Sequence, residues 1–466
     1  MAPIWQPVST SPGGRFMLRR ASGHRFRIEI AATLPEGSPH GQGGIGIGRG
    51  SMTDVDIAIV GAGIVGTSCA LWARMRGHRV VLIDPAPPGS GTSAGNACTL
   101  ATYGCLPVND PSVLRDLPRL IFGGDSPVSI SYRHALRHPG WMLAFLANCR
   151  GARSRAIAGH LAGLLAHADA GVNPLIAEAG AEDLVVARGQ VTVWSTARAA
   201  RAAEAGLSLR RDLGVALTEV SPETAAAMEP GLALPIRRAV HYPEARHVTD
   251  PEALVQRFHA RFTALGGETL VAAVSATRAG PDAVRVVAGD QRIEAGHVVI
   301  AAGAFSRRIA GSGAEHLPLG TERGYHLLFP GEAQRLTRPV GWAEGGFYAT
   351  PMGRGLRLAG TVEISGLDAP VNARRLAYLD RRGHEMLGPL PKPASSWLGY
   401  RPTLPDSLPV IGPSVQSGRI LHAFGHQHLG LTLGGITGRL IADLAEGRHP
   451  NMPLRPYRST RGFLRG

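Results

Sequence analysis

The hydrophobic pattern changes period several times along the chain, and the changes mark out elements. VDIAIVGAG (55–63) runs apolar from Ile57 after Asp56 into a glycine turn, which reads as a buried strand. IVGTSCALWARMRG carries apolar positions at helical spacing and closes at Gly77, and HRVVLIDP reads as a second parallel strand. Residues 110 to 230 are mostly helical in period, as in WMLAFLANC and HLAGLLAHADAGV, interrupted by the strand-like VVARGQVTVW. A second α/β passage follows: DPEALVQRFHARFTALGG as a helix, then GETLVAAVSATRAG and DAVRVVAGDQRIEAGHVVIAAGAFS as strands. From 317 to 365 polar and apolar positions alternate, as in YHLLFP and GLRLAGTVEI, predicting an antiparallel sheet. RILHAFGHQHLG and ITGRLIADLAEG end the pattern with a strand and an apolar helix.

The predicted class is α/β, with a discontinuous Rossmann-like dinucleotide domain and a second domain of mixed or antiparallel sheet and helices. Residues 52–108, 248–312 and 398–450 are assigned to the first domain, 109–247 and 313–397 to the second, and 451–466 to a tail. Residues 1–51 carry Pro, Gly, Ser and Arg in irregular order with no apolar core of a signal peptide. They are expected to form a disordered leader or extension, the fold starting near Met52.

Composition adds limits. The net charge of +14 rests almost wholly on arginine, Lys392 being the one lysine, and the arginines are scattered without a nucleic-acid motif. A nucleic-acid partner is therefore not expected. Cys69, Cys98, Cys105 and Cys149 form no CxxC pair, so neither a disulfide framework nor a metal site is indicated. A reducing, cytoplasmic location is expected, and peripheral contact with the inner membrane stays open.

GAGIVG supplies the first chemistry. Gly61 permits a tight turn, Gly63 lets backbone approach a pyrophosphate, and Gly66 lets helix and strand pack closely. Ala62, Ile64 and Val65 complete a turn whose free N–H groups meet phosphate at the helix N-terminus. Asp84, followed by Pro85, ends the second strand where a carboxylate can accept ribose hydroxyls. The motif by itself does not say which dinucleotide.

Four motifs in order, GAGIVG with Asp84, TSAGNA (92–97), HVVIAAGAFS, and GYRPTLPDSLPVIGP followed by ILHAFGHQHLGLTLGGITGRLIADL, resemble the FAD-dependent D-amino acid oxidase superfamily, most closely bacterial D-amino acid dehydrogenases. The resemblance spans about residue 54 to residue 450. It implies FAD, bound without a covalent link, since no cysteine lies in the C-terminal half. It implies cofactor contacts from Thr92, Ser93, Asn96 and Ala97, from Val274 beside the adenine, from Ala302 and Gly303, and from Gly425, Leu429, Gly430, Leu431 and Thr432 under the flavin ring. It also implies that Arg401 in GYRP binds a substrate carboxylate, helped by Tyr348 and His428, with Tyr325 and His326 of ERGYH lining the pocket. His426 is expected to be structural.

The implied reaction is hydride transfer from Cα of a D-amino acid, with electrons passing to a quinone or similar carrier and no side chain needed as catalytic base. The alternative is an oxidase or dehydrogenase of a cyclic or secondary amino acid, toward which the ERGYH variant points: D-proline, hydroxy-D-proline, or the glycine/sarcosine type, with hydrogen peroxide as the product of an oxidase. A non-catalytic flavoprotein subunit would have no use for both Arg401 and Tyr348, and a nicotinamide enzyme none for GYRP and GHQHLGLT. The oligomeric state is not legible.

Overall fold

The structure is a computed structural model that describes residues 5–11, 15–20, 25–30, 52–114 and 126–463. The strand Met52–Val60 occupies the centre of an eight-stranded sheet. Val80–Ile83 lies parallel on one side of it, followed by Glu268–Leu270, and Gln291–Ile300 lies parallel on the other. The far edge of Gln291–Ile300 is shared. Its first half pairs antiparallel with Val284–Ala288, and its end pairs parallel with Ile420–Phe424.

Both faces of this sheet are covered, which is why its strands read as continuous apolar runs. Ile57 and Ile59 point into a core with Leu71, Phe258 and Leu433, contributed by the helices Ile64–Met75, Pro251–Ala264 and Gly430–Ala445. Ala58 and Val60 point the other way, to Val286, Ile300 and Phe424.

A twelve-stranded, largely antiparallel sheet forms the second body. Within it Gly320–Phe329 lies between Ser395–Thr403 and Gly355–Ile364, antiparallel to both. Phe347–Met352 follows Gly355–Ile364, and beyond it come Val340–Trp342, Gln190–Trp194 and Arg238–Tyr242.

Three expectations need correction. The boundary set at 398 falls inside the strand Ser395–Thr403, so GYRP belongs to the large sheet and the chain crosses over only afterwards. The helices Gly151–Leu165 and Ala168–Glu178, assigned to the second domain, share the core of the dinucleotide domain. They do so because Gly171 and Gly435 let two helices touch; a Cβ on Gly171 would stand 2.1 Å from the Ile436 nitrogen. The leading segment is not wholly outside the fold: Trp5–Ser11, Arg15–Arg20 and Arg25–Ile30 are an antiparallel run of strands, the last parallel to Ser395–Thr403. The alternation in RFRIEI is a strand period that the irregular composition around it obscures.

Candidate functional site

Gly61 adopts φ +109°, and a Cβ there would meet the Ala301 carbonyl at 2.5 Å. A Cβ on Gly66 would lie 1.8 Å from the Gly61 oxygen. The turn is therefore closed to any larger residue at both positions, and its outer surface is backbone. Asp84 shapes it from behind: its carboxylate accepts the N–H of Ala62 at 2.7 Å and of Ala86 at 2.8 Å, with Pro85 between. Burial raises the Asp84 pKa against those two hydrogen bonds.

Two helix N-termini meet at this turn. Gly63 caps Ile64–Met75 and Leu429 caps Gly430–Ala445, and neither helix has an acidic residue in its first turn. A Cβ on Gly430 would stand 3.9 Å from the Ile64 side chain, so the two positive helix ends are neighbours. Gly425 leads into the second at φ +87°, and Gln427 holds φ +49°, a conformation costly for a residue with a Cβ. Leu431 is buried at that helix start. Thr432 is spent on packing, since its hydroxyl accepts the Ala101 N–H at 2.9 Å.

The loop 92–98 is held between the two bodies. Ser93 Oγ accepts the N–H of Ile64, Val65's neighbour at the helix start, at 2.9 Å, and Thr92 donates to the Tyr400 carbonyl at 3.0 Å. Asn96 folds the loop on itself by donating to Ser93 and accepting from the Cys98 N–H. The large sheet grips the rest. Arg357 Nη1 donates to the carbonyls of Ala94 and Asn96 at 2.9 and 3.0 Å, and Thr350 donates to that of Ala97 at 3.0 Å. Ala302 and Gly303 lie at the end of Gln291–Ile300, Gly303 at φ +56°, and Val274 packs with Ala302 against the same core.

The substrate candidates divide. Arg401 and His428 come together: the Arg401 charge helps lower the His428 pKa to about 4, after burial, the larger cause. Yet His428 is exposed and Arg401 half-buried by accessible surface. Surface that stays accessible amid crowded surroundings places both side chains at one recess, the candidate substrate cavity. Arg401 is fixed by one hydrogen bond, Nη1 to the Thr361 carbonyl at 2.9 Å. Thr361 has φ +56° at a register shift between Gly320–Phe329 and Gly355–Ile364, and this bulge turns its carbonyl to the guanidinium. Tyr348 is half-buried beside Tyr103, which stacks on Tyr242 with ring centroids 4.3 Å apart.

Tyr325 and His326 do not line the cavity. Tyr325 lies on the opposite face of the sheet, its hydroxyl donating to Glu363 at 2.6 Å. His326 faces the cofactor loop, stacks on Trp397 at 5.2 Å, and bonds the Gly95 carbonyl at 3.1 Å. Burial, with Arg357 nearby, drives its pKa well down. ERGYH is thus tied to the fold through these two residues. The motifs do not single out Arg357 and Trp397, although an arginine inside the apolar strand GLRLAG is a signal of a buried role. His426 is structural, its Nε2 2.9 Å from Thr437 Oγ1.

The residues fit FAD. A glycine cradle closed to side chains, two uncompensated helix N-termini and a clamped small-residue loop suit an anionic dinucleotide with an extended ring system. Among the described residues no group of three His, Cys, Asp or Glu could hold a metal, and no helix is long and apolar enough to cross a membrane. The four cysteines are free and buried.

The sequence model of the DAO family, described as FAD dependent oxidoreductase, matches residues 56–444. The chain belongs to this family and is an FAD-dependent oxidoreductase. It is 34% identical over 414 residues to the D-amino-acid oxidase of Bradyrhizobium diazoefficiens, covering 87% of this chain and 98% of that one. It is 30% identical over 407 residues to D-amino acid dehydrogenase 2 of Pseudomonas aeruginosa, covering 85% and 96%. Its fold is similar to the crystal structure of glycine oxidase from Geobacillus kaustophilus, with TM-score 0.68, 22% identity, and 88% and 100% coverage.

Proposed function

We propose that this chain oxidises a D-amino acid to the 2-oxo acid and passes the electrons to a quinone-type carrier. Arg401 carries the reading: a half-buried guanidinium close enough to His428 for its charge to help lower the His428 pKa. A guanidinium fork holds a carboxylate at two points and thereby orients Cα. Bound FAD would supply the acceptor for the hydride that leaves Cα.

The protein's residues bind and orient. His428 is neutral at physiological pH, its pKa being about 4, so it does not repel a substrate amine. The helix starting at Gly430 offers N–H groups to the negative charge that accompanies reduction. The imine left on Cα takes up water and releases ammonia, giving the 2-oxo acid. Relatives named D-amino-acid oxidase and D-amino acid dehydrogenase support the D-amino acid substrate. The carrier is supported by the relative named D-amino acid dehydrogenase 2.

Anaerobic bleaching of the flavin tests the substrate. D-amino acids, D-proline, hydroxy-D-proline, glycine and sarcosine are compared with L-enantiomers, and bleaching by primary D-amino acids is expected. Bleaching only by cyclic or secondary amines would replace the substrate in this reading. Stoichiometric hydrogen peroxide in air would replace the carrier with oxygen.

A further inference from the structure

Glu322 stands directly across from Arg401, in register on the neighbouring antiparallel strand. Cross-strand partners share a face, so both side chains project toward the cavity side of the sheet. Glu322 is 1% exposed, and its Oε1 has no hydrogen-bond partner. An acid without full pairing in such a place is costly, and one set beside the substrate-binding guanidinium has a direct route to influence binding.

We propose that Glu322 is a positioning residue for the substrate: its carboxyl group sets how much of the Arg401 charge is offered to a bound carboxylate, and it takes up a proton when that carboxylate arrives. This inference rests on the assignment of Arg401 to the substrate carboxylate. With Glu322 ionised, the pair is close to neutral and attracts an anion weakly. With Glu322 protonated, the full charge of Arg401 is available. A carboxylate arriving at Arg401 repels ionised Glu322 and so favours the protonated form; by linkage, protonation of Glu322 tightens binding by the same factor.

Burial pushes the Glu322 carboxyl up to about 7, against the pull of Arg401 and the Thr403 hydroxyl, which places the change in the neutral range. From the flanking strand, Arg401 and Thr403 face Glu322, and from the loop after Phe424 His428 faces Arg401. His428, at about 4, does not titrate in the same window. Arg323, Tyr325 and Glu363 form their own set on the opposite face, with Arg323 Nη1 and Glu363 3.2 Å apart. ERGYH thereby divides: Glu322 serves the cavity side, whereas Arg323 and Tyr325 serve the back of the sheet.

Benzoate, which has a carboxylate but no amine to titrate, is the probe. Its binding to the FAD-loaded enzyme is followed by flavin absorbance and by calorimetry in buffers of different ionisation enthalpy. In wild type, one pK unit of coupling is expected to raise Kd about sixfold from pH 6.5 to 8.5, with net proton uptake near pH 7.5. Glu322→Gln should bind benzoate at pH 8.5 as tightly as wild type does at pH 6.5, with no proton uptake. Binding that depends on Arg401 but shows no proton uptake in wild type would overturn the role of Glu322 alone, as would uptake persisting in Glu322→Gln. The wild-type calorimetry decides this even if the variant does not fold. Undiminished benzoate binding in Arg401→Met would instead remove the Arg401 assignment on which the inference stands.

Discussion

The cofactor cradle and the proposed substrate cavity meet along the loop 92–98, yet they present different kinds of surface. In the cradle the ligand-facing atoms are backbone N–H groups, and side chains have been cleared away: a Cβ at Gly61 or Gly66 would strike a carbonyl. In the proposed substrate cavity the groups are side chains, Arg401 and His428, brought from the strand Ser395–Thr403 and the loop after Phe424. A backbone site must be local in sequence, because consecutive N–H groups build it. A side-chain site can be assembled from distant segments, and each member can be replaced without refolding the rest.

The largest effect is expected where the local site is blocked. Gly66→Ala should leave the protein without FAD, because its Cβ would lie 1.8 Å from the Gly61 oxygen; flavin absorbance per chain checks this. Retention of full flavin would mean that the turn can open, and the contrast between the two surfaces would weaken. Next is Arg401→Met, which should lower kcat/KM by roughly 100-fold, about 3 kcal/mol for a buried charged contact, with the yellow cofactor retained. Simultaneous loss of flavin would show that Arg401 serves the cofactor side.

Arg357→Met tests the seam between the regions. It strips donors from the Ala94 and Asn96 carbonyls, and should lower stability by about 2 kcal/mol and weaken FAD retention, as followed by melting with and without added FAD. The smallest effect on turnover is expected from Tyr325→Phe. Losing a hydrogen bond to Glu363 should cost about 1.5 kcal/mol in denaturant unfolding, with KM unchanged because Tyr325 is on the far face. A raised KM would return Tyr325 to the cavity.

Much of the cradle was legible because its requirements are local. GAGIVG, Asp84 and the run TSAGNA lie within 37 positions, and the structure brings them into one turn and one clamped loop. Periodicity misleads where neighbouring residues diverge. Tyr325 and His326 were both assigned to the pocket, but strand alternation sends adjacent side chains to opposite faces, so at most one could have faced it. In fact His326 was taken by the cofactor loop and Tyr325 by Glu363. The domain boundary at 398 failed for a related reason, since GYRP lies in the large sheet while GHQHLG, close in sequence, follows a strand of the other sheet.

By itself the sequence determined the parts that depend on period and glycine placement: the strand, turn and helix of the cradle, the helix ends and the alternation of the large sheet. Only the tertiary structure decided which residues meet. It set Glu322 across from Arg401 through strand register, bent the Thr361 carbonyl to the guanidinium through a bulge, and laid Arg357, His326 and Trp397 over the loop at 92–98. Periodicity fixes the face on which a side chain lies; only packing between sheets fixes what that face meets.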